Sequence, residues 1–175
     1  MNYRFIAVGE LTPELFSGFI RRQVVDKCVR REQGKWVIKS HPFVDDWTEN
    51  DYAVLIAKLK RIVCGGGFVL AAFDGDVLKA FSAVDGNLFG RDNMYADLAE
   101  FYVSEDFRRQ GVGSRLFALT ADAARSFGAK KLYISAHSAV ETQAFYKSMG
   151  CVLTEQCDEA HVLNEPCDVQ LEYVL

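Results

Sequence analysis

One stretch constrains what this chain can fold into more than any other: Val103-Ser104-Glu105-Asp106-Phe107-Arg108-Arg109-Gln110-Gly111-Val112-Gly113-Ser114. Ahead of it Tyr95 to Val103 reads as a strand, and behind it Val112, Leu116, Leu119, Ala123 and Phe127 recur at helical spacing. A strand therefore feeds a helix through a short arginine-rich loop. A helix start presents backbone N–H groups without intrahelical partners and the positive end of the macrodipole. Glycines let a ligand approach that backbone without meeting a Cβ, and two arginines add fixed charge and forked donors suited to phosphate. The stretch reads as an anion cradle. It lacks the Gly-Lys-Ser/Thr ending of a P-loop and the Gly-x-Gly-x-x-Gly of a dinucleotide fingerprint.

Around the cradle the chain alternates strand and helix patterns. Arg4 to Val8 suits a first strand, and Thr12-Pro13-Glu14 predicts a helix start, with Leu15, Phe16, Phe19 and Ile20 on one side. Val24 to Val29 and Lys35 to Lys39 flank Glu32-Gln33-Gly34, a hairpin pattern that would form a flap over a site or an excursion of its own. Trp36 and Trp47 are read as packing residues. Thr48-Glu49-Asn50-Asp51 is a capping box with Asp in place of Glu, ahead of a stripe of Tyr52, Leu55, Ile56, Leu59, Ile62 and Val63. Gly65-Gly66-Gly67 ends that helix. Phe68 to Phe73 and Val77 to Val84 flank Asp74-Gly75-Asp76, a tight hairpin. After the cradle helix come the strand Leu132 to Ala136, a helix opened by a Ser138-x-x-Glu141 capping box and closed by Gly150, and a strand pair, Cys151 to Glu155 and Val169 to Leu175, joined by a loop through Asn164 to Asp168.

Half of the 175 residues are hydrophobic, enough for the core of one domain, and no compositional break divides residues 1–175. A net charge of −4 argues against a nucleic-acid partner, which calls for a basic face. No apolar run reaches the length of a membrane span. Cys28, Cys64, Cys151, Cys157 and Cys167 form no Cys-x-x-Cys pair, and with His41, His137 and His161 they offer no metal-ligand spacing, so no metal is expected. Cys151 and Cys157 read as buried hydrophobes. The first residues lack a signal-peptide core, which makes a cytoplasmic protein with reduced thiols the expectation.

Arg108-x-x-Gly111-x-Gly113 resembles the pyrophosphate-binding signature of the GNAT superfamily, the acetyl-CoA-dependent N-acetyltransferases. A second feature follows in order: Ala144-Phe145-Tyr146-Lys147-Ser148-Met149-Gly150 resembles the family's Phe-Tyr-x-x-x-Gly segment. The likeness spans nearly the whole chain and is weakest around residues 24–39. It implies an α/β fold with a mixed central sheet of about six to seven strands, helices on both faces, and acetyl-CoA in the splay between the fourth and fifth strands. It implies that backbone N–H groups from Arg109 through Gln110, Gly111, Val112, Gly113 and Ser114 hold the pyrophosphate, with Arg108 and Arg109 assisting. The pantetheine arm would lie along Phe101, Tyr102 and Val103. Where relatives often carry Asn ahead of the second helix, this chain offers Ser138, with Thr142 following, as cofactor contacts.

Acetyl transfer to an amine needs a base for the amine proton and an acid for the departing thiolate. Tyr146 is the candidate acid, since a phenol stays protonated at neutral pH. Val140, Ala144, Phe145 and Met149 are expected to face the core, with Tyr146 on an adjoining face. Glu100 and Asp97 are the candidate bases. Three apart, they occupy opposite faces of a regular strand unless a bulge resets the register. Glu100 is preferred, because relatives often carry an acid there, whereas Asp97 matches the base position of another branch. The activity expected is direct transfer from acetyl-CoA to a primary amine of a small molecule, with a peptide or protein amine acetyltransferase, or a non-catalytic acyl-CoA sensor, as the alternatives. Acids at Asp45, Asp46, Glu49 and Asp51 suit either a cationic ligand or helix capping. Homodimerisation through the closing strands is a family-level expectation.

Overall fold

The computed structural model describes residues 1–175. In chain order it contains β1 (Asn2–Phe5), β2 (Arg22–Glu32), β3 (Lys35–Asp46), α1 (Glu49–Cys64), β4 (Phe68–Asp74), β5 (Val77–Val84), β6 (Tyr95–Val103), α2 (Val112–Ala124), β7 (Lys131–Ala136), α3 (Val140–Ser148), β8 (Val152–Leu153), α4 (Glu159–Asn164) and β9 (Val169–Val174). Seven strands form one mixed sheet in the order β1-β4-β5-β6-β7-β9-β8, while β2 and β3 pair only with each other. β6 and β7, the fourth and fifth strands of the sheet in chain order, make its one parallel pair.

Side-chain alternation along β4 explains the layers. Val69, Ala71 and Phe73 join Leu55, Ile56, Leu59 and Ile62 of α1 in one core, and Leu70 and Ala72 meet Val112 and Leu116 of α2 on the other face. Each aliphatic side chain buried in this way contributes about 1.5–3 kcal/mol. The expected capping box starts α1: Asp51 N–H donates to the Thr48 hydroxyl at 3.3 Å, and Thr48 N–H donates to the Asp51 carboxylate at 2.7 Å. One buried polar pair, Ser82 and Thr120 at 2.6 Å, ties β5 to α2.

The hairpin is longer than its sequence pattern implies. Gln33 and Gly34, with φ of 47° and 79°, form its turn, in keeping with tight hairpins that need positive φ at both central residues. It docks through a bridge between Cys28 and Ala139 and through Val29 N–H, which donates to Ser138 O at 2.8 Å. Val25, Cys28 and Ala139 bury a small core there with Phe43 against it.

Several expectations are corrected. Thr12-Pro13-Glu14 opens only a single 3-10 turn, Pro13–Phe16, and the Thr12 side chain caps nothing. The chain must then pass close to β5, where a Cβ on Gly18 would lie 2.4 Å from Val77 Cγ1. Ser138 does not cap α3, because its hydroxyl accepts from Arg30 and α3 starts after Ala139. The closing region holds α4, whose start is capped by Asp158, where a plain loop was expected, and β8 is only two residues long. Trp36 is exposed rather than packed, whereas Trp47 packs against Tyr52 and Tyr102. Cys151 is buried, but Cys157 is exposed.

Candidate active site

β6 runs on into the cradle because its end is anchored. Ser104 is buried, its N–H donates to Lys79 O at 2.8 Å, and its hydroxyl accepts from Ile20 N–H at 2.9 Å. The chain then turns back so that Arg108 Nε donates to Val103 O at 3.1 Å. Arg109 and Gly111 take positive φ, 61° and 81°, and α2 begins at Val112. No backbone N–H from Arg109 through Ser114 donates to a protein acceptor; the next, Arg115 N–H, bonds Gly111 O at 3.1 Å. A helix start alone leaves about three such groups beyond its cap, so the turn doubles the run. Gly113 is where α2 crosses the sheet closely, since a Cβ there would lie 3.3 Å from Val103 and 3.4 Å from Phe145. Arg109 and Gln110 are exposed, and Arg108 is partly buried, its guanidinium held below the usual arginine range by burial and by Arg21 nearby.

Beside the cradle the sheet opens. β6 and β7 pair only at Tyr95, Ala96 and Asp97, after which they diverge, although both continue as strands. The gap leads into a cavity of about 590 Å³ bordered by β6 from Asp97 to Val103, the end of β7, α1, α3 and α4. The approach to β2 and the end of β3 also border it, through Arg21, Gln23 and Asp45.

The question of which acid faces this cavity is answered by the strand's register. Ala83 of β5 sits opposite Glu100 and Val84 opposite Leu98, so Ala99 is an extra residue, a bulge. Leu98 and Phe101 thereby both pack with Phe117 of α2, and Asp97 and Glu100 both line the cavity. Glu100 Oε1 accepts from Lys58 Nζ of α1 at 2.6 Å. Burial pushes the Glu100 carboxyl up, and the Lys58 charge opposes that rise. Asp97 Oδ2 lies 3.4 Å from His161 Nε2 of α4, while its Oδ1 is buried without a partner. Burial and the neighbouring Glu165 hold the Asp168 carboxyl well above the carboxylate range.

Tyr146 is the buried residue of α3, 6% exposed, against Phe101, Phe117 and Phe145. The expected core face is kept at Phe145 and Met149, which pack against the same cluster, but Ala144 is exposed, and Tyr146, expected on an adjoining face, is buried. Its hydroxyl makes no hydrogen bond to the protein although it borders the cavity, and burial raises its phenol far above the ordinary range.

The structure thus gathers Asp97, Glu100, Phe101, Tyr102, Val103, Arg108, Thr142 and Tyr146 around one cavity, with 109–114 beside it. Ser138 is not among them: it is 2% exposed and committed to Arg30. Sequence reasoning missed Lys58, His161, Glu165 and Asp168, and missed Arg21, whose guanidinium pairs with Asp45 and lies 5.1 Å from the Trp47 ring and 4.9 Å from that of Tyr102. Asp51 of the acid cluster is a cap, while Asp45 borders the cavity. No group of three or more His, Cys, Asp or Glu side chains is placed to hold a metal ion, and no helix is long and apolar enough to cross a membrane.

The model of the acetyltransferase (GNAT) family matches residues 32–151. Among solved structures, nourseothricin acetyltransferase superposes with a TM-score of 0.72 at 17% identity, over 99% of this chain and 97% of that one. A candidate streptothricin acetyltransferase from Bacillus anthracis str. Ames, in complex with acetyl coenzyme A, gives 0.71 at 15% identity over 99% and 98%. An aminoglycoside 6'-N-acetyltransferase complexed with coenzyme A gives 0.54 at 14% identity over 73% and 81%. No curated protein matches in sequence.

Proposed function

The chain belongs to the GNAT acetyltransferase family, the acetyl-CoA-dependent N-acetyltransferases, and from that premise we propose that it acetylates a primary amine of a small molecule by direct attack in a ternary complex. One observation carries this reading: a run of six unpaired backbone N–H groups, flanked by Arg108 and Arg109, adjoins a cavity holding a buried acid and a buried phenol. Such a run beside two guanidiniums suits a pyrophosphate. Residues 109–114 and Arg108 would hold that part of acetyl-CoA, and the β6 edge at Phe101, Tyr102 and Val103, with Thr142 of α3, its pantetheine arm. When bound, acetyl-CoA supplies an activated acetyl group.

The chain's own groups do the rest. Glu100 takes the ammonium proton, directly or across one water; its carboxyl, raised by burial and checked by Lys58, lies nearer the operating pH than a surface acid. Asp97, on the same face, is the second acid of the site. Tyr146 keeps its proton until the thiolate departs, because burial stabilises the neutral phenol. A backbone N–H near Tyr102 would serve as the donor to the acyl oxygen, a role suited to a fixed dipole in a dry site.

A small acceptor is favoured over a protein because Arg21, Gln23, Asp45 and Trp47 border the cavity from the hairpin side, where they would narrow the space for a protein segment. The names of two structural neighbours, for nourseothricin and aminoglycosides, point the same way. Incubating the protein with acetyl-CoA and a mixture of polyamines, aminoglycosides, amino acids and lysine peptides, with mass spectrometry of the products, tests the reading. Acetylated small amines are expected; acetylation of the peptides alone would overturn the choice of acceptor.

A further inference from the structure

A proton taken from the acceptor has to leave the cavity before the next turnover, and Glu100, 9% exposed and paired with Lys58, has little contact with bulk water. Asp97 shares its face through the bulge at Ala99 and keeps one oxygen, Oδ1, buried and without a partner. Its other oxygen lies 3.4 Å from His161 Nε2; catalytic hydrogen bonds are often this long before substrate binds. Asp97 and His161 also border a second cavity of about 240 Å³, and they are the two residues the cavities share. Its remaining walls are Asp85, Asn87, Phe89 and Asp158, with Asn87 exposed at the surface. The His161 ring is held in place, 5.1 Å from Tyr133 and 6.3 Å from Phe89 between centroids.

We propose that Asp97 and His161 form the proton outlet of the acetyl-transfer site, with His161 acting through Asp97 as a positioning residue that passes the acceptor's proton to solvent in the second cavity. The proposal rests on the acetyltransferase reading above. The ammonium N–H bond breaks as an O–H bond forms on Glu100. That proton moves through the cavity to Asp97 and on to His161 Nε2, the ring releases its other N–H proton to water beside Asp85 and Asp158, and the ring regains its starting tautomer by proton exchange with that water before the next turnover. Each transfer breaks one bond to hydrogen and makes another, and no electrons are exchanged. The charged and titratable groups facing His161 are Asp97 from β6, Lys58 from α1, Tyr133 from β7, Asp85 across the second cavity and Asp158 ahead of its own helix. The bond to Asp97 is the largest influence on the ring and raises its affinity for the proton it must catch.

The test uses the full chain, an amine that the wild type acetylates, and the variants His161→Gln and Asp97→Asn. NMR titration of the His161 ring, identified by its loss in His161→Gln, is expected to show a lower midpoint in Asp97→Asn. His161→Gln is expected to lower kcat at least ten-fold, to alter the pH profile, to leave acetyl-CoA affinity unchanged, and to recover most of its rate with imidazole in the buffer. A His161 midpoint indifferent to Asp97→Asn, a wild-type kcat in His161→Gln, or a loss that imidazole does not restore would each overturn the outlet. Absence of amine-dependent thiol release from the wild type would overturn the acetyltransferase reading and the outlet together. An active wild type with an indifferent His161→Gln overturns the outlet alone.

Discussion

At the cradle, six consecutive residues, Arg109 to Ser114, offer backbone N–H groups with no protein acceptor, and their side chains are mostly exposed. At the acceptor end, the polar groups are side chains drawn from α1, β6, α3, α4 and the segment before β9, and they are paired or buried: Lys58 with Glu100, His161 with Asp97, Glu165 with Asp168, and Tyr146 among three aromatic rings. The two ends should therefore fail differently. A backbone site depends on local φ and tolerates exchange of its side chains, whereas a side-chain site depends on charge and burial at residues far apart in sequence.

The sharpest way to break this contrast is Tyr146→Phe. The hydroxyl it removes has no hydrogen-bond partner in the protein, so unfolding free energy should change by less than about 0.5 kcal/mol, as for a substitution that orphans nothing. Losing a general acid should lower kcat by about 10²-fold. Steady-state kinetics and a denaturant titration of one preparation read both. Gly111→Val comes next. Its φ of 81° is unfavourable to a β-branched residue, although no atom stands where the new Cβ would go. A distorted cradle should weaken acetyl-CoA about ten-fold, a cost of about 1.4 kcal/mol, with kcat at saturation kept. Calorimetric titration with acetyl-CoA measures it.

These two substitutions also mark what the sequence made legible. Tyr95–Val103, the loop and α2 were readable because a strand, two glycines and a helical stripe lie in one contiguous stretch, and α1 announced itself by a capping box and one apolar face. The shared face of Asp97 and Glu100 needed the bulge at Ala99, which has no local signature and is imposed by pairing with β5. Lys58 stood outside the apolar stripe of α1, so nothing nearby hinted that it meets Glu100. Six-residue α4 carries too few turns for periodicity, and His161 and Asp168 were hidden with it. Ser138 looked like a cap because local spacing allowed it, yet the distant Arg30 claims its hydroxyl.

Smaller effects refine the contrast. Lys58 pulls the Glu100 carboxyl down against the effect of burial, so Lys58→Met should raise it further. The ionised base then appears only at higher pH, and the acid limb of the kcat/KM profile should move toward alkaline pH with acetyl-CoA affinity unaltered. At the cradle, exposed Arg109 should matter least: Arg109→Ala is expected to weaken acetyl-CoA by about two- to five-fold at low ionic strength. That difference should shrink in 0.5 M salt, roughly half a nanometre of Debye screening, when the titration is repeated there.

The measurement closest to the central claim is thiol release at saturating acetyl-CoA, with and without a primary amine, for wild type and Tyr146→Phe side by side. The account predicts release that requires the amine in the wild type and falls about 10²-fold in the variant while both proteins bind acetyl-CoA equally. Release that ignores the amine, or a variant as fast as wild type, would contradict it.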